Sequence, residues 1–93
     1  MRTIERSGAF KRDYKREAKG RNRNSIDDSL FPVLVAPVND HQLDSRYRDH
    51  NLSGDWAGYR DCHVKPDLLL IYRKSGDDLL RLARLGSHSE LFG

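Results

Sequence analysis

The 93-residue sequence predicts an α+β fold: a small antiparallel or mixed sheet of about four strands, with two N-terminal helices packed at one side. Apolar residues recur at helical spacing early in the chain, then alternate or run continuously in its last third. The length fits one domain, spanning 1–93, with a thin core, because a chain this short buries only about 60–70% of the surface its unfolded form exposes.

Residues 1–5 read as a short extended start that joins the sheet. The Ser7 hydroxyl oxygen can accept from a following backbone N–H, so Ser7 caps a first helix. Phe10, Tyr14 and Ala18 fall on one face of it, while Lys11, Arg12, Lys15, Arg16 and Lys19 fill much of the rest. The aromatic stripe reads as core rather than as a platform for stacking bases. Gly20 ends the helix, since glycine enters the left-handed region at no steric cost. Asn24 or Ser25 caps a second helix, and Asp27 and Asp28 occupy its first turn, where the helix dipole favours negative charge. Ile26, Leu30, Val33 and Leu34 form its apolar face. Pro32 lacks a donor and clashes with the carbonyl four residues earlier, so a kink or a shortened helix is expected. Residues 36–45 read as a polar connection and 46–55 as irregular.

Strands follow. Over 58–65, Tyr59, Asp61 and His63 share one face, and Arg60, Cys62 and Val64 the other. Pro66-Asp67 turns the chain into the apolar run 68–73, which suits a central strand buried on both faces. Ser75-Gly76-Asp77 turns it again into 78–85, where Arg84 has the parity of the core-facing Leu80 and Leu82. Ser87 and Glu90 have the S-x-x-E spacing of a capping box, so a helical turn starts at Ser87 and puts His88 and Phe92 on one side.

Charge is uneven. Residues 1–23 carry nine bases against three acids, residues 24–58 two against six, and residues 59–93 six against five. A basic arm on a nearly neutral body favours an anionic partner, nucleic acid or an acidic protein, although a solvated helix face accounts for the same charges. No apolar run approaches the roughly 18 residues of a membrane helix, and no signal-type stretch follows the basic N-terminus. Cys62 is the single cysteine, so the cytoplasm is the expected compartment and no membrane partner is expected.

His41, His50, His63 and His88 share no metal-ligand spacing, so no metal site is expected. Phosphate loops and nucleophile elbows are absent. What remains is acid–base work by histidine and carboxylate. His63, Asp67, Arg84 and His88 all fall at strand ends that a meander can bring together. Each histidine alone reads equally well as a surface or cap residue, and Phe92 as a plug that stops the chain end fraying.

Three segments carry a resemblance: Arg48-Asp49-His50, then Gly54-Asp55-Trp56-Ala57-Gly58-Tyr59-Arg60-Asp61-Cys62-His63-Val64-Lys65-Pro66-Asp67, and finally Gly86-Ser87-His88-Ser89-Glu90-Leu91-Phe92-Gly93. Together they resemble the YafQ branch of the RelE-type bacterial toxins. The match is close in the C-terminal half, and Pro32 departs from the pattern. The resemblance implies a RelE-like fold and a ribosome-dependent endoribonuclease that cuts mRNA in the A site of the 70S ribosome, without a cofactor. It implies a catalytic set of His50, His63, Asp67 and His88, with Arg84 on the phosphate and Phe92 near a nucleobase. Lys11, Arg12, Lys15 and Arg16 would then meet rRNA phosphates. It also implies a cognate antitoxin, in a heterotetrameric or larger complex able to bind operator DNA through the antitoxin. The chemistry is consistent: RNA brings its own nucleophile, the 2′-hydroxyl, and imidazoles can move both protons near neutral pH. A catalytically silent RNA- or ribosome-binding module, or an interaction domain for the antitoxin, are the alternatives.

Overall fold

The computed structural model describes residues 1–20 and 25–93. Arg21 and Arg23 of the basic arm, and Asn24 as a cap, lie outside the described residues. The elements are β1 (Thr3–Arg6), α1 (Gly8–Lys19), α2 (Ile26–Val38), β2 (His50–Asn51), β3 (Arg60–Lys65), β4 (Leu68–Ser75), β5 (Leu79–Gly86) and α3 (His88–Phe92). Single 3₁₀ turns occupy Ser45–Tyr47 and Gly54–Trp56. The strands form one sheet in the order β1-β5-β4-β3-β2, with β1 parallel to β5 and every other neighbour antiparallel. The α+β class holds, and the sheet has five strands rather than about four. The extra one, β2, has two residues inside a stretch expected to be irregular, too few for any alternation to register.

Ser7 caps α1, its Oγ accepting from Phe10 N at 2.9 Å. Gly20 closes the helix with φ −96°, not in the left-handed region; a Cβ there would lie 3.2 Å from the Arg16 carbonyl oxygen. Ser25 precedes α2 without bonding to it through its side chain, because its Oγ accepts from Lys65 Nζ at 2.6 Å. The second helix is not shortened at Pro32. It continues through Pro37 to Val38 and absorbs residues 36–38 of the expected connection. Pro32 sits on the exposed side, while Val33 and Leu34 beyond it still reach the core.

Both helices cover one face of the sheet. Phe10, Ile26, Leu30, Val33 and Leu34 pack there against Cys62, Leu70, Tyr72, Leu80, Leu82 and Leu85. A smaller cluster on the other face joins Leu69, Ile71, Ala83 and Leu91, with Leu52, Trp56 and Tyr59 at its margin. The central run is buried on both sides as expected, with no residue from Leu68 to Tyr72 more than 3% exposed.

Parity breaks in β5. Tyr72 opposes Leu82 but Ile71 opposes Arg84, so Ala83 is an inserted residue. The bulge reverses the alternation: Arg84 moves away from the face of Leu80 and Leu82, and Leu85 takes the core position. The expected shared parity of Arg84 with those leucines is thereby corrected.

The outer edge of β5 loses its strand partner where β1 stops at Arg6. Unpaired strand groups need partners, and the start of α1 supplies them. Ser7 N donates to Leu82 O and Ser7 Oγ to Ala83 O, at 3.0 and 2.7 Å. Asp13 accepts from Leu85 N at 3.0 Å, and Arg16 Nη2 donates to Leu85 O at 2.9 Å. Among the described residues, no helix is long and apolar enough to cross a membrane.

Candidate active site

The register lays the site out in rows. His50 opposes Asp61, Asp61 opposes Ile71, and Ile71 opposes Arg84, a single row across β2, β3, β4 and β5. The next row on that face is His63, Leu69 and Gly86. Directly opposed residues share a face, and here it is the one turned away from α1 and α2. Leu69 and Ile71 floor it.

Asp61 lies at the centre, 3% exposed. His50 Nε2 is 3.6 Å from its Oδ2, and Oδ1 has no hydrogen-bond partner. Burial raises the Asp61 pKa above its ordinary value, against the pull of positive charge on His50, His63 and His88. Three imidazoles from β2, β3 and α3 therefore face one buried carboxyl.

His50 is held from both sides. Its Nδ1 is 2.8 Å from Arg48 O. Preceding it, Asp49 accepts from Arg60 Nε and Nη2 at 3.0 and 2.6 Å, and from the Tyr72 hydroxyl. Following it, Asn51 Oδ1 accepts from Arg60 Nη1 at 2.5 Å. One bidentate guanidinium thus fixes both flanks of the histidine.

The capping box at the start of α3 forms as expected: Ser87 N donates to Glu90 Oε1 at 2.8 Å and Glu90 N to Ser87 Oγ at 3.2 Å. Leu91 anchors the turn in the smaller cluster, leaving His88 and Phe92 on the outside with ring centroids 5.2 Å apart. Asp67, in the β3–β4 turn, accepts from His88 N at 3.2 Å. Gly86 makes the close approach possible, since a Cβ there would fall 2.8 Å from Arg16 Nη2.

Arg84 is the outlying member. It ends the row beyond Ile71, and its Nε and Nη2 bond Asp13 at 2.7 and 3.2 Å. Lys11, Arg12 and Lys15 are exposed along α1. Arg16 differs from them, being tied to Asp13, Glu17 and Glu90 at 3.0, 3.2 and 3.1 Å. A groove of about 770 Å³ opens from His63 between β3 and α2, lined by Arg46, Tyr47, Arg48, Lys65 and Pro32. Asp61 shares the parity of His63, but nothing in its spacing alone marks it as part of the site. The groove has no signal along the chain, because its residues come from three separate segments.

Over residues 2–93 the sequence matches the family described as the bacterial toxin of type II toxin-antitoxin systems, YafQ. The chain belongs to the YafQ family. It is 42% identical over 93 residues to the mRNA interferase toxin YafQ of Escherichia coli strain K12, covering 100% of this chain and 98% of that one. The crystal structure of YafQ from E. coli strain BL21(DE3) matches with a TM-score of 0.86 at 40% identity, over the full length of both chains. YafQ in the crystal structure of the E. coli DinJ-YafQ complex matches with a TM-score of 0.84 at 41% identity, again covering both chains fully. The YafQ resemblance read from the C-terminal half therefore extends over the whole chain, α1 and α2 included.

Proposed function

We propose that the imidazoles facing Asp61 cut mRNA held in the A site of the 70S ribosome, and that this cutting inhibits translation. As a YafQ toxin the chain is an mRNA interferase, and hence an endoribonuclease. The observation that carries the mechanism is the convergence of His50, His63 and His88 on one open sheet face, from three elements far apart in sequence. One imidazole takes the proton of the 2′-hydroxyl, whose oxygen attacks the adjacent phosphorus. Another protonates the departing 5′-oxygen. The products are a 2′,3′-cyclic phosphate and a free 5′-hydroxyl, and neither proton transfer needs a metal or cofactor. Asp67 steadies His88 through its backbone N–H. Arg84, oriented by Asp13, meets the charge that builds on the phosphate, for which a planar guanidinium is suited. Phe92, beside His88, stacks on an unstacked base.

Lys11, Arg12 and Lys15 contact rRNA phosphates, and Arg16 belongs with them through the position it fixes for α3. A cognate antitoxin neutralises the toxin in the cytoplasm by covering this face. The DinJ-YafQ complex of the relative supports such a partner. The complex of this chain is heterotetrameric or larger and reaches operator DNA through the antitoxin.

The test is end-mapping of an mRNA on programmed 70S ribosomes, with and without toxin. Cuts confined to the A-site codon and ending in a cyclic phosphate are expected; equal cutting of naked and ribosome-bound RNA would refute the ribosomal part. Changing Lys11, Arg12 and Lys15 together to glutamate weakens ribosome binding. The slope of log affinity against log salt should drop by roughly two to three, as three phosphate contacts are lost. An unchanged slope would place the ribosome contact elsewhere.

A further inference from the structure

We infer that Asp61 is a positioning residue of this ribonuclease site: its buried carboxylate aligns His50 and receives the imidazolium that forms when the base has taken its proton. The inference rests on the site proposed above and adds to it a group that touches no substrate.

Geometry supplies the reason. Nδ1 of His50 faces the Arg48 carbonyl at 2.8 Å, a contact that places the neutral ring's proton on Nδ1 and leaves Nε2 as the basic nitrogen. Nε2 is 3.6 Å from Asp61 Oδ2, too far for a hydrogen bond while Nε2 carries no proton. A proton taken from the 2′-hydroxyl at Nε2 creates an N–H⁺ beside the carboxylate, and the contact can then close. Asp61 Oδ1, buried and without a partner, is a second acceptor on the same group. An unsatisfied buried carboxylate oxygen costs stability, and such a cost is typical of a functional position.

Asp61 is the acid directly opposite His50 in the register. The charges that act most strongly on Asp61 are His50 from β2, His63 from its own strand, His88 from α3, and Asp49 from the segment before β2. Asp49 is already bonded to Arg60 and Tyr72. The residue opposite on β4 is Ile71, which brings no charge.

The experiment is single-turnover cleavage of mRNA on programmed 70S ribosomes across a range of pH, using Asp61→Asn, Asp61→Glu, His63→Ala and His88→Ala. Asp61→Asn keeps the shape and removes the charge. Its rate constant at saturating toxin should fall by about 10–100-fold, while the half-saturating toxin concentration stays within about twofold. The acid limb of its pH profile should move to lower pH, because a protonated site no longer gains from a neighbouring anion. Asp61→Glu should restore part of the rate and return the limb towards that of the parent. Thermal melting of Asp61→Asn should occur at or above the parent temperature, which separates the effect from unfolding.

A rate within threefold of the parent, or a loss of rate with an unmoved acid limb, would overturn the inference. If His63→Ala and His88→Ala are inactive in that case, only the role of Asp61 falls. If they too cleave at the parental rate, the proposed site falls with it.

Discussion

Replacing His88 by alanine should lower the single-turnover rate of mRNA cleavage on ribosomes by about 10²–10⁴-fold, with little change in ribosome affinity. That is the usual worth of one positioned general acid or base. The side chain is exposed at the start of α3 and its ring contact is with Phe92, so the fold does not depend on it. Its backbone N–H, which donates to Asp67, survives the substitution, as does the Ser87–Glu90 capping box. The loss should therefore appear in the rate constant at saturation and not in binding, the signature of an interaction made only in the transition state. Phe92→Ala, by contrast, should weaken substrate positioning by about 1–3 kcal/mol, the range of a stacked base. A His88→Ala protein cutting within threefold of the parental rate would remove His88 from the proton-transfer set. Circular dichroism and melting of the same preparation would exclude misfolding as the cause of a loss.

The elements with strong local signals were readable from the chain. Ser7 and Ser87 announce their caps, Leu68 to Tyr72 announce a doubly buried strand, and the S-x-x-E spacing announces α3. Three features escaped, each for a physical reason. Pro32 and Pro37 argue against helix locally, yet packing of Val33, Leu34 and Pro37 in the interior outweighs that propensity. Strand β2 is too short to show alternation, and it exists because Arg60 ties Asp49 and Asn51 to β3. The bulge at Ala83 leaves no mark in an alternating leucine pattern, although it decides which face Arg84 occupies.

The candidate site was legible as a set of residue types and much less so as a geometry. His50, His63 and His88 do share a face, and Asp67 does reach His88. Arg84 stands apart behind Ile71 with Asp13 as its partner, and Arg16, though exposed like Lys11, Arg12 and Lys15, is tied to Asp13, Glu17 and Glu90. Spacing along a helix predicts a basic face, but it cannot say which of those bases is neutralised by acids of α1 itself and of α3.

Asp13→Ala should destabilise the fold by about 1–3 kcal/mol, the usual result of removing a buried acceptor from its donors when the partner guanidiniums are partly exposed. Asp13 is 3% exposed and accepts from Arg84 Nε, Arg16 Nη1 and Leu85 N at 2.7, 3.0 and 3.0 Å. Alanine would take from Arg84 its carboxylate partner, leave Arg16 to Glu17 and Glu90, and leave a strand N–H without Asp13 as its acceptor. Total stabilities of domains are about 5–15 kcal/mol, so the loss would take a large share and should be plain in a urea melt. Burial pushes the Asp13 pKa up, but hydrogen bonds from Arg84 and Leu85, with the charge of Arg84 and Arg16, hold it below the ordinary value of 3.8. An acid depressed in the folded state contributes stability that is complete above its unfolded pKa and lost as pH falls through the folded one. The gap between parent and Asp13→Asn should accordingly be constant from neutral pH to about 4, then narrow on further acidification. Asp61 has the opposite sign: its raised folded pKa means that its ionisation costs stability at neutral pH, and acidification towards 3.8 relieves that cost. Two buried aspartates, one on α1 and one on β3, thus have pKa values shifted in opposite directions, one holding α1 to β5 and the other set among the histidines. A gap that widens below pH 4 would contradict this assignment for Asp13.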